Sequence, residues 1–293
     1  ARAHPRLSPY PLYAVSNLGS FLALFVFPFV LEPRLSLTET GRLWTWAFAA
    51  TGLAVLGCAL PTLGAKNAAS TPGDGRPAAA ADRRVEDDEA RGDGDLLRAL
   101  TWLGLSGTAV VVLMGVTNKL CLDVASVPFL WIAPLATYLI TFIVCFSSER
   151  AYRRAPFVAI AVATFAITLA IKPGELIVYQ VLAYCILLFS SCMCLHGELY
   201  RLRPAARSLT RFYLFVSAGG ALGGLLVGIV APRLFADYYE LHVGMLMAAL
   251  MLLVVFAGDP RSWLRWNGLR GRWRVVAPLV VVAVGSAAFL ELR

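Results

Sequence analysis

The stretch ALTWLGLSGTAVVVLMGVTNKLCL, residues Ala99–Leu122, contains a single charged side chain, Lys119. About 20 consecutive apolar residues form a helix long enough to cross the roughly 30 Å hydrocarbon core of a bilayer. A membrane-spanning β-strand would instead alternate polar and apolar residues over about ten positions, and the stretch has no such alternation. It therefore predicts a transmembrane helix.

Similar apolar blocks recur along the whole chain, which is 59% hydrophobic and only 15% charged, with a mean hydropathy of +0.70. This composition differs strongly from that of a soluble domain. The other blocks are Tyr10–Leu31, Leu43–Leu63, Val124–Phe146, Ala155–Ile171, Leu176–Leu195, Phe212–Phe235, Leu241–Phe256 and Val275–Leu290. Together they predict an all-α integral membrane protein, a bundle of about nine transmembrane helices.

The positions of Lys and Arg predict the orientation of this bundle. With nine alternating spans, most of the 26 basic residues fall on the same side as the N-terminus, and cationic loops are retained in the cytoplasm. We therefore expect a cytoplasmic N-terminus. The net charge of +8 then reflects retention and contact with lipid, and no basic soluble domain is present to bind nucleic acid.

A charged segment divides the chain into three parts. Residues 65–98 combine acidic and basic side chains with Gly, Pro and Ala, a composition with too little apolar surface to order itself. We predict two transmembrane helices in residues 1–64, a flexible cytoplasmic loop over 65–98, and about seven helices in 99–293.

Catalytic and metal-binding motifs are not evident. The sequence has no dinucleotide-binding loop, Walker loop, HExxH or GxSxG motif, so we predict no cofactor and leave the enzyme question open. Cys192, Cys194 and His196 are close in sequence, but on a helix Cys194 faces away from the other two. No metal site is predicted, and the six cysteines are expected to be small buried residues.

Polar residues within apolar blocks are candidates for a site, because a charge at membrane depth needs a partner or a water-filled cavity. Lys119 and Asp123, four residues apart, share a helix face; they form either a site or a structural pair. Asn17 needs a hydrogen-bond partner on another helix or on a ligand. The candidates also include His196 and Glu198.

Glu198 lies at the predicted cytoplasmic end of its span. Either Arg201 or Arg211 is near enough in sequence to form a gate-like ion pair with it, and a solvated helix end is the alternative interpretation.

The glycines of one block are spaced for helix packing. Small residues four apart allow another helix backbone to approach closely. The packing candidates are Gly219, Gly220, Gly223, Gly224 and Gly228.

Four stretches resemble the membrane region of bacterial fused proteins that join a major-facilitator-like helical domain to a spermidine-synthase-like domain. They are YAVSNLGS at Tyr13–Ser20 running into PFVLEP at Pro28–Pro33, DVASVPFLW at Asp123–Trp131 with PLATYLITF at Pro134–Phe142, CLHGELYRLRP at Cys194–Pro204, and FYLFVSAGGALGG at Phe212–Gly224. The resemblance implies a fragment of a larger major-facilitator-like bundle, with helices before Ala1 and after Leu290 and a linked aminopropyltransferase-like domain. This chain holds no segment of that enzyme.

Two functions follow as hypotheses. In the first, the membrane domain binds or transports a small polar or cationic, polyamine-related compound, with Asn17, Glu32 and Asp123 as acceptors for an amine. In the second, the helices are a non-transporting anchor or an oligomerisation scaffold for the aminopropyltransferase-like domain. Polar side chains that line one central cavity favour transport, whereas scattered interhelical hydrogen bonds favour a scaffold.

Overall fold

The computed structural model describes residues 10–67, 79–124, 130–148, 150–172, 174–204, 208–235 and 239–259. These residues form helices and connecting turns and contain no β-strand. Nine α-helices are described, numbered in chain order: α1 Tyr10–Val26, α2 Leu37–Asn67, α3 Ala79–Asn118, α4 Ile132–Ser147, α5 Arg154–Ala170, α6 Ile177–Arg201, α7 Leu209–Leu225, α8 Ala231–Leu234 and α9 Glu240–Gly258.

Six helical segments of the described part are long and apolar enough to cross a membrane. They are Leu12–Leu31, Leu37–Leu60, Asp95–Leu122, Ile177–Arg201, Leu209–Leu234 and Glu240–Gly258, and two shorter apolar helices, α4 and α5, lie between them in sequence. The all-helical architecture expected from the sequence is thus confirmed, with six candidate membrane spans in the described residues, while the count of about nine spans stays a prediction. The block predicted at Val275–Leu290 lies outside the described residues.

Three of the α-helices continue into π-helical turns, at Phe27–Leu31, Lys119–Val124 and Leu226–Val230. The π turns of α1 and α3 come at the ends of their apolar spans, whereas that of α7 lies inside the span Leu209–Leu234. Such turns interrupt the regular hydrogen-bond ladder and are frequent at functional sites.

Helix α3 begins at Ala79, inside the segment for which the sequence predicts a flexible loop. Residues 79–98 are rich in Ala, Arg, Asp and Glu, and of these Ala, Arg and Glu have high helix propensity. A helix can therefore form there without apolar packing. The prediction of a flexible loop rests on the lack of apolar surface alone and leaves helix propensity out.

The described residues fall into two compact units, one of residues 22–94 and the other of residues before 22 and after 94. In the smaller unit, α2 starts at a capping box. The Ser36 backbone N–H and hydroxyl both donate to Glu39 Oε2, at 2.8 and 2.7 Å, and the Glu39 N–H donates to Ser36 Oγ at 3.3 Å. These bonds satisfy donors that the first helical turn would leave open.

In the larger unit, α6 is the central helix. Every residue from Ser190 to Tyr200 is buried, and α4, α5 and α9 pack on its faces. Because successive helices run in opposite directions, the starts of α5 and α7 lie at the same end of this unit as the ends of α6 and α9. The Trp102 indole N–H of α3 donates to Leu202 O at that end, at 3.0 Å.

Candidate functional site: an ion-pair network at one end of the bundle

Glu198, near the end of α6, is a fully buried carboxylate of the larger unit. Its side chain is 0% exposed, and it accepts two hydrogen bonds from Arg154, the first residue of α5. Arg154 Nε lies 2.6 Å from Oε1 and Nη2 lies 2.7 Å from Oε2. This two-point geometry is the strong form of an arginine–carboxylate pair, and it joins α5 to α6.

The same arginine also reaches α9. Arg154 Nη2 lies 2.8 Å from Oδ2 of Asp259, the residue that follows α9, and its guanidinium is 4.8 Å from the centre of the Phe256 ring. Arg201 completes the group, 3.9 Å from both Glu198 and Asp259. We call Arg154, Glu198, Arg201 and Asp259 the ion-pair network; its two acids and two bases balance in charge.

Tyr152, in the loop before α5, lies beside the network and packs on Gly197. A Cβ added to Gly197 would collide with the Tyr152 ring, so only glycine permits this approach. Burial, with Cys194 and Glu198 nearby, raises the pKa of the Tyr152 phenol well above its usual range. The phenol therefore stays neutral and adds no further negative charge beside Glu198.

His196 lies on a different face of α6, towards α4. Its ring is fully buried and packs on Phe142, with ring centres 3.8 Å apart, and against the edge of Tyr138 at 4.9 Å. The Thr141 hydroxyl donates its one proton to Tyr138 O at 2.7 Å. Thr141 Oγ1 therefore accepts from His196 Nδ1, 2.9 Å away. His196 Nε2 is then an acceptor, and it finds no hydrogen-bond partner among the described residues.

A small cavity lies between α5, α6 and α9, one to two helical turns from the ion-pair network. Its volume is about 20 Å³, enough for one or two water molecules. The lining is mostly small and apolar: Val158, Ala161, Val162, Ser191, Cys194, Met245, Ala248, Ala249 and Leu252. It is too small for a polyamine.

The other predicted site residues make no described contact with the network. The Asn17 amide N–H donates to Tyr13 O of its own helix at 2.8 Å, so this bond does not join two helices. Glu32 is exposed and belongs to the smaller unit. Lys119 is half-buried at the start of a π-helical turn. Asp123 lies on that turn, and its side chain is outside the described part of the structure.

Two of the five predicted packing glycines contact another helix closely. A Cβ on Gly219 would collide with Leu103 O, and one on Gly223 would collide with Gly107 O, both on α3. A Cβ on Gly220 would make ordinary contact with Val110 at 3.7 Å, and one on Gly228 would meet only Met114, at 4.0 Å. Gly224 has open space beside it.

Two members of the ion-pair network, Arg154 and Asp259, are not singled out by the sequence. In the sequence, Arg154 is one of several charged residues between two apolar blocks, and Asp259 is a polar residue after the block Leu241–Phe256. Arg211, expected as a partner of Glu198, instead pairs with Asp95 at 2.9 Å. The available signal is the pair Arg153–Arg154 directly before an apolar block, where one of the two arginines can turn inward.

The fold and this arrangement are those of a multi-pass helical membrane protein with six candidate spans in its described part and an ion-pair network at one end of the larger unit, in which Glu198 is fully buried. No protein-family profile, curated protein or solved structure matches the chain. Among the described residues, no three His, Cys, Asp or Glu side chains are grouped so that they could hold a metal ion.

Proposed function

We propose that this chain is the transporter-like membrane domain of a spermidine-synthase-like fusion protein, and that it binds or moves a small polar or cationic, polyamine-related compound. In this proposal it forms about nine spans of a major-facilitator-like bundle in the bacterial inner membrane, with its N-terminus in the cytoplasm. An aminopropyltransferase-like domain is covalently linked to it or associates with it. The observation that carries the transport function is the ion-pair network between the ends of α5, α6 and α9.

A transporter needs one end of its bundle to close and reopen during each cycle. Contacts that hold the helices by charge alone suit this task, since water and counter-ions can replace them when the helices separate. The network joins three helices at one end and has no net charge. Its arginines lie on the side that the distribution of basic residues assigns to the cytoplasm.

A cationic substrate fits the chemistry of these acids. Glu198 and Asp259 now accept hydrogen bonds from arginine, and an ammonium group offers the same kind of donor. Exchange of arginine for a substrate amine would couple binding to the release of α9. Asn17, Glu32, Lys119, Asp123 and His196 remain proposed ligand contacts.

The test is a binding and uptake experiment on the full chain. We expect putrescine or spermidine to raise the Tm of the detergent-solubilised protein, and liposomes that contain the protein to accumulate labelled spermidine. Asp123→Asn and Glu198→Gln should each abolish both signals. Asp95→Asn is the matched control, because it removes a carboxylate from an ion pair outside the network.

Absence of a saturable shift with any polyamine or nucleoside thioether, together with uptake equal to that of empty liposomes, would reject the transport proposal. Equal loss in Asp95→Asn and Glu198→Gln would also count against it, because loss of stability would then explain both.

A second function, a membrane anchor or oligomerisation scaffold, is favoured by the cavity. The cavity is apolar and holds about 20 Å³, and Asn17 bonds within its own helix; neither feature offers a polar route for a substrate. A scaffold would form a defined oligomer in detergent, measured by light scattering. Trp44 and Phe48, which are exposed and lie four residues apart on one face of α2, would be the residues to mutate.

A further inference from the structure

Helix α9 contacts its neighbours very differently at its two ends. At its start it packs on α3 backbone to backbone. A Cβ on Gly115 would lie 2.8 Å from Leu241 Cα and 3.1 Å from the Glu240 carbonyl carbon, and one on Gly244 would lie 3.2 Å from Val111 Cγ1. Contacts between backbones this close leave no room for relative movement.

Further along α9 the contacts become soft. Gly104 of α3 faces the flexible end of the Met251 side chain, not backbone. On the side of α5 and α6, Ala248, Ala249 and Leu252 of α9 border the cavity. Atoms that line a void lack packing partners on one side, so this part of α9 is held by fewer dispersion contacts than its start.

The far end of α9 is held by charge in addition to the buried side chains of Val255 and Phe256. Asp259 contacts Arg154 at 2.8 Å and Arg201 at 3.9 Å. Asp259 and Arg154 are each 21% exposed, whereas Glu198 is 0% exposed. The bonds between Arg154 and Glu198 are therefore the drier half of the network, and the bonds to Asp259 are the half that water reaches.

From these contacts we infer that α9 is the moving helix of the gate: it pivots on α3 at Gly115 and Gly244 and swings away from α5 and α6 when Asp259 separates from Arg154. Helices α5 and α6 stay joined through Glu198. The swing opens the cavity to the solution at the charged end and exposes the face of α6 that carries Cys194. As a gate, this movement rests on the proposed transport function; as a movement, it is independent of any substrate.

The native cysteines allow a direct test on the full-length chain in detergent or liposomes. The probe is N-ethylmaleimide, and mass spectrometry measures the modification rate of each cysteine. Cys194 lines the cavity, while Cys145 lies on α4 and Cys192 faces Ala109 of α3, all three being buried. Exposed Cys58 reports the intrinsic reactivity of the reagent.

We expect Asp259→Asn to raise the modification rate of Cys194 about fivefold, the change in an opening equilibrium that loss of a partly exposed ion pair produces. Rates at Cys145 and Cys192 should stay the same. Asp95→Asn, the matched control at the same end of the bundle, should change none of the three.

Two results would overturn the inference: an unchanged rate at Cys194 in Asp259→Asn, or an equal rise at Cys145 and Cys192, which indicates general loosening. Selective opening at Cys194 without binding or uptake of polyamines would reject only the transport proposal. Transport that persists with Cys194 closed in every variant would reject only the movement of α9.

Discussion

Two interfaces between helices of the larger unit, which we call seams, are held together by different interactions. Between α3 and α7, Gly219 and Gly223 bring the helix backbones into direct contact, and Ser106 Oγ donates to Val216 O at 2.6 Å. Between α5, α6 and α9, small side chains border a cavity and charges close the end. The first seam is tight because no side chain larger than a hydrogen atom fits at Gly219 and Gly223. The second seam is held by ion pairs at one end and is loosely packed beside the cavity.

This difference indicates where the bundle can change shape. Close packing of small residues gives dispersion and weak hydrogen bonds along the whole contact in a membrane, and separation of such helices would lose all of them together. An ion pair at a partly wet helix end can be exchanged for water. We therefore expect substitutions in the first seam to affect stability, and substitutions at the wet edge of the second to affect opening.

The largest effect should come from Arg154→Ala. Among the described cations it leaves only Arg201, 3.9 Å away, to balance the fully buried Glu198 carboxylate, and an uncompensated buried charge costs about 3 kcal/mol. Equilibrium unfolding in mixed micelles measures this loss. Arg153→Ala, at the exposed neighbouring position, should be close to wild type; equal losses in the two variants would contradict the assigned role of Arg154.

The tight seam is tested by a pair of adjacent glycines. Gly223→Ala places a methyl group against the Gly107 carbonyl, and such overpacking should lower the free energy of unfolding by about 2 kcal/mol. Gly224→Ala has open space and should be neutral or gain up to about 1 kcal/mol from helix propensity. The same unfolding assay decides, and a Gly224→Ala loss equal to that of Gly223→Ala would show that backbone contact is not the cause.

A smaller effect is expected from the buried hydrogen bond that Ser106 makes across this seam. Ser106→Ala removes the donor to Val216 O, which should cost about 1 kcal/mol. Ser20→Ala is the control, because the Ser20 hydroxyl bonds only to Ser16 O of its own helix. A neutral Ser106→Ala would place the stability of the seam entirely in glycine packing.

The smallest effect belongs to the rim of the tight seam. The side chains of Arg211 and Asp95 are 43% and 58% exposed, and exposed pairs contribute about 0.5 kcal/mol or less. Asp95→Asn should lower the Tm slightly at low salt. At about 0.5 M NaCl, where exposed pairs are screened, it should leave the Tm unchanged. A large loss that persists in salt would show that this pair is structural.

Much of the helical architecture could be predicted from the sequence, because an apolar block of sufficient length has few other structures available in a bilayer. The helix ends were less accessible. Helix α3 begins at Ala79, within the segment for which the sequence predicts a flexible loop. That prediction rests on low hydrophobicity, although helix propensity alone can order such residues. The spacing of the glycines identified small-residue faces but could not select Gly219 and Gly223 from the overlapping faces.

The site was predictable only in part. Glu198 stood out because a carboxylate beside an apolar block needs a partner. Its partner Arg154 is 44 residues away, and no local pattern links two positions so far apart. His196 was a candidate, yet Thr141, which fixes its tautomer, resembles any other threonine in an apolar span.

The capping box at Ser36 and Glu39 bears on how the chain enters the membrane. Because those hydrogen bonds involve only residues three apart, the first turn of α2 can form as soon as this short segment leaves the ribosome, before α3 and the helices after it are synthesised. The residue at which α2 starts is therefore specified locally, during translation, and needs no contact with a later helix.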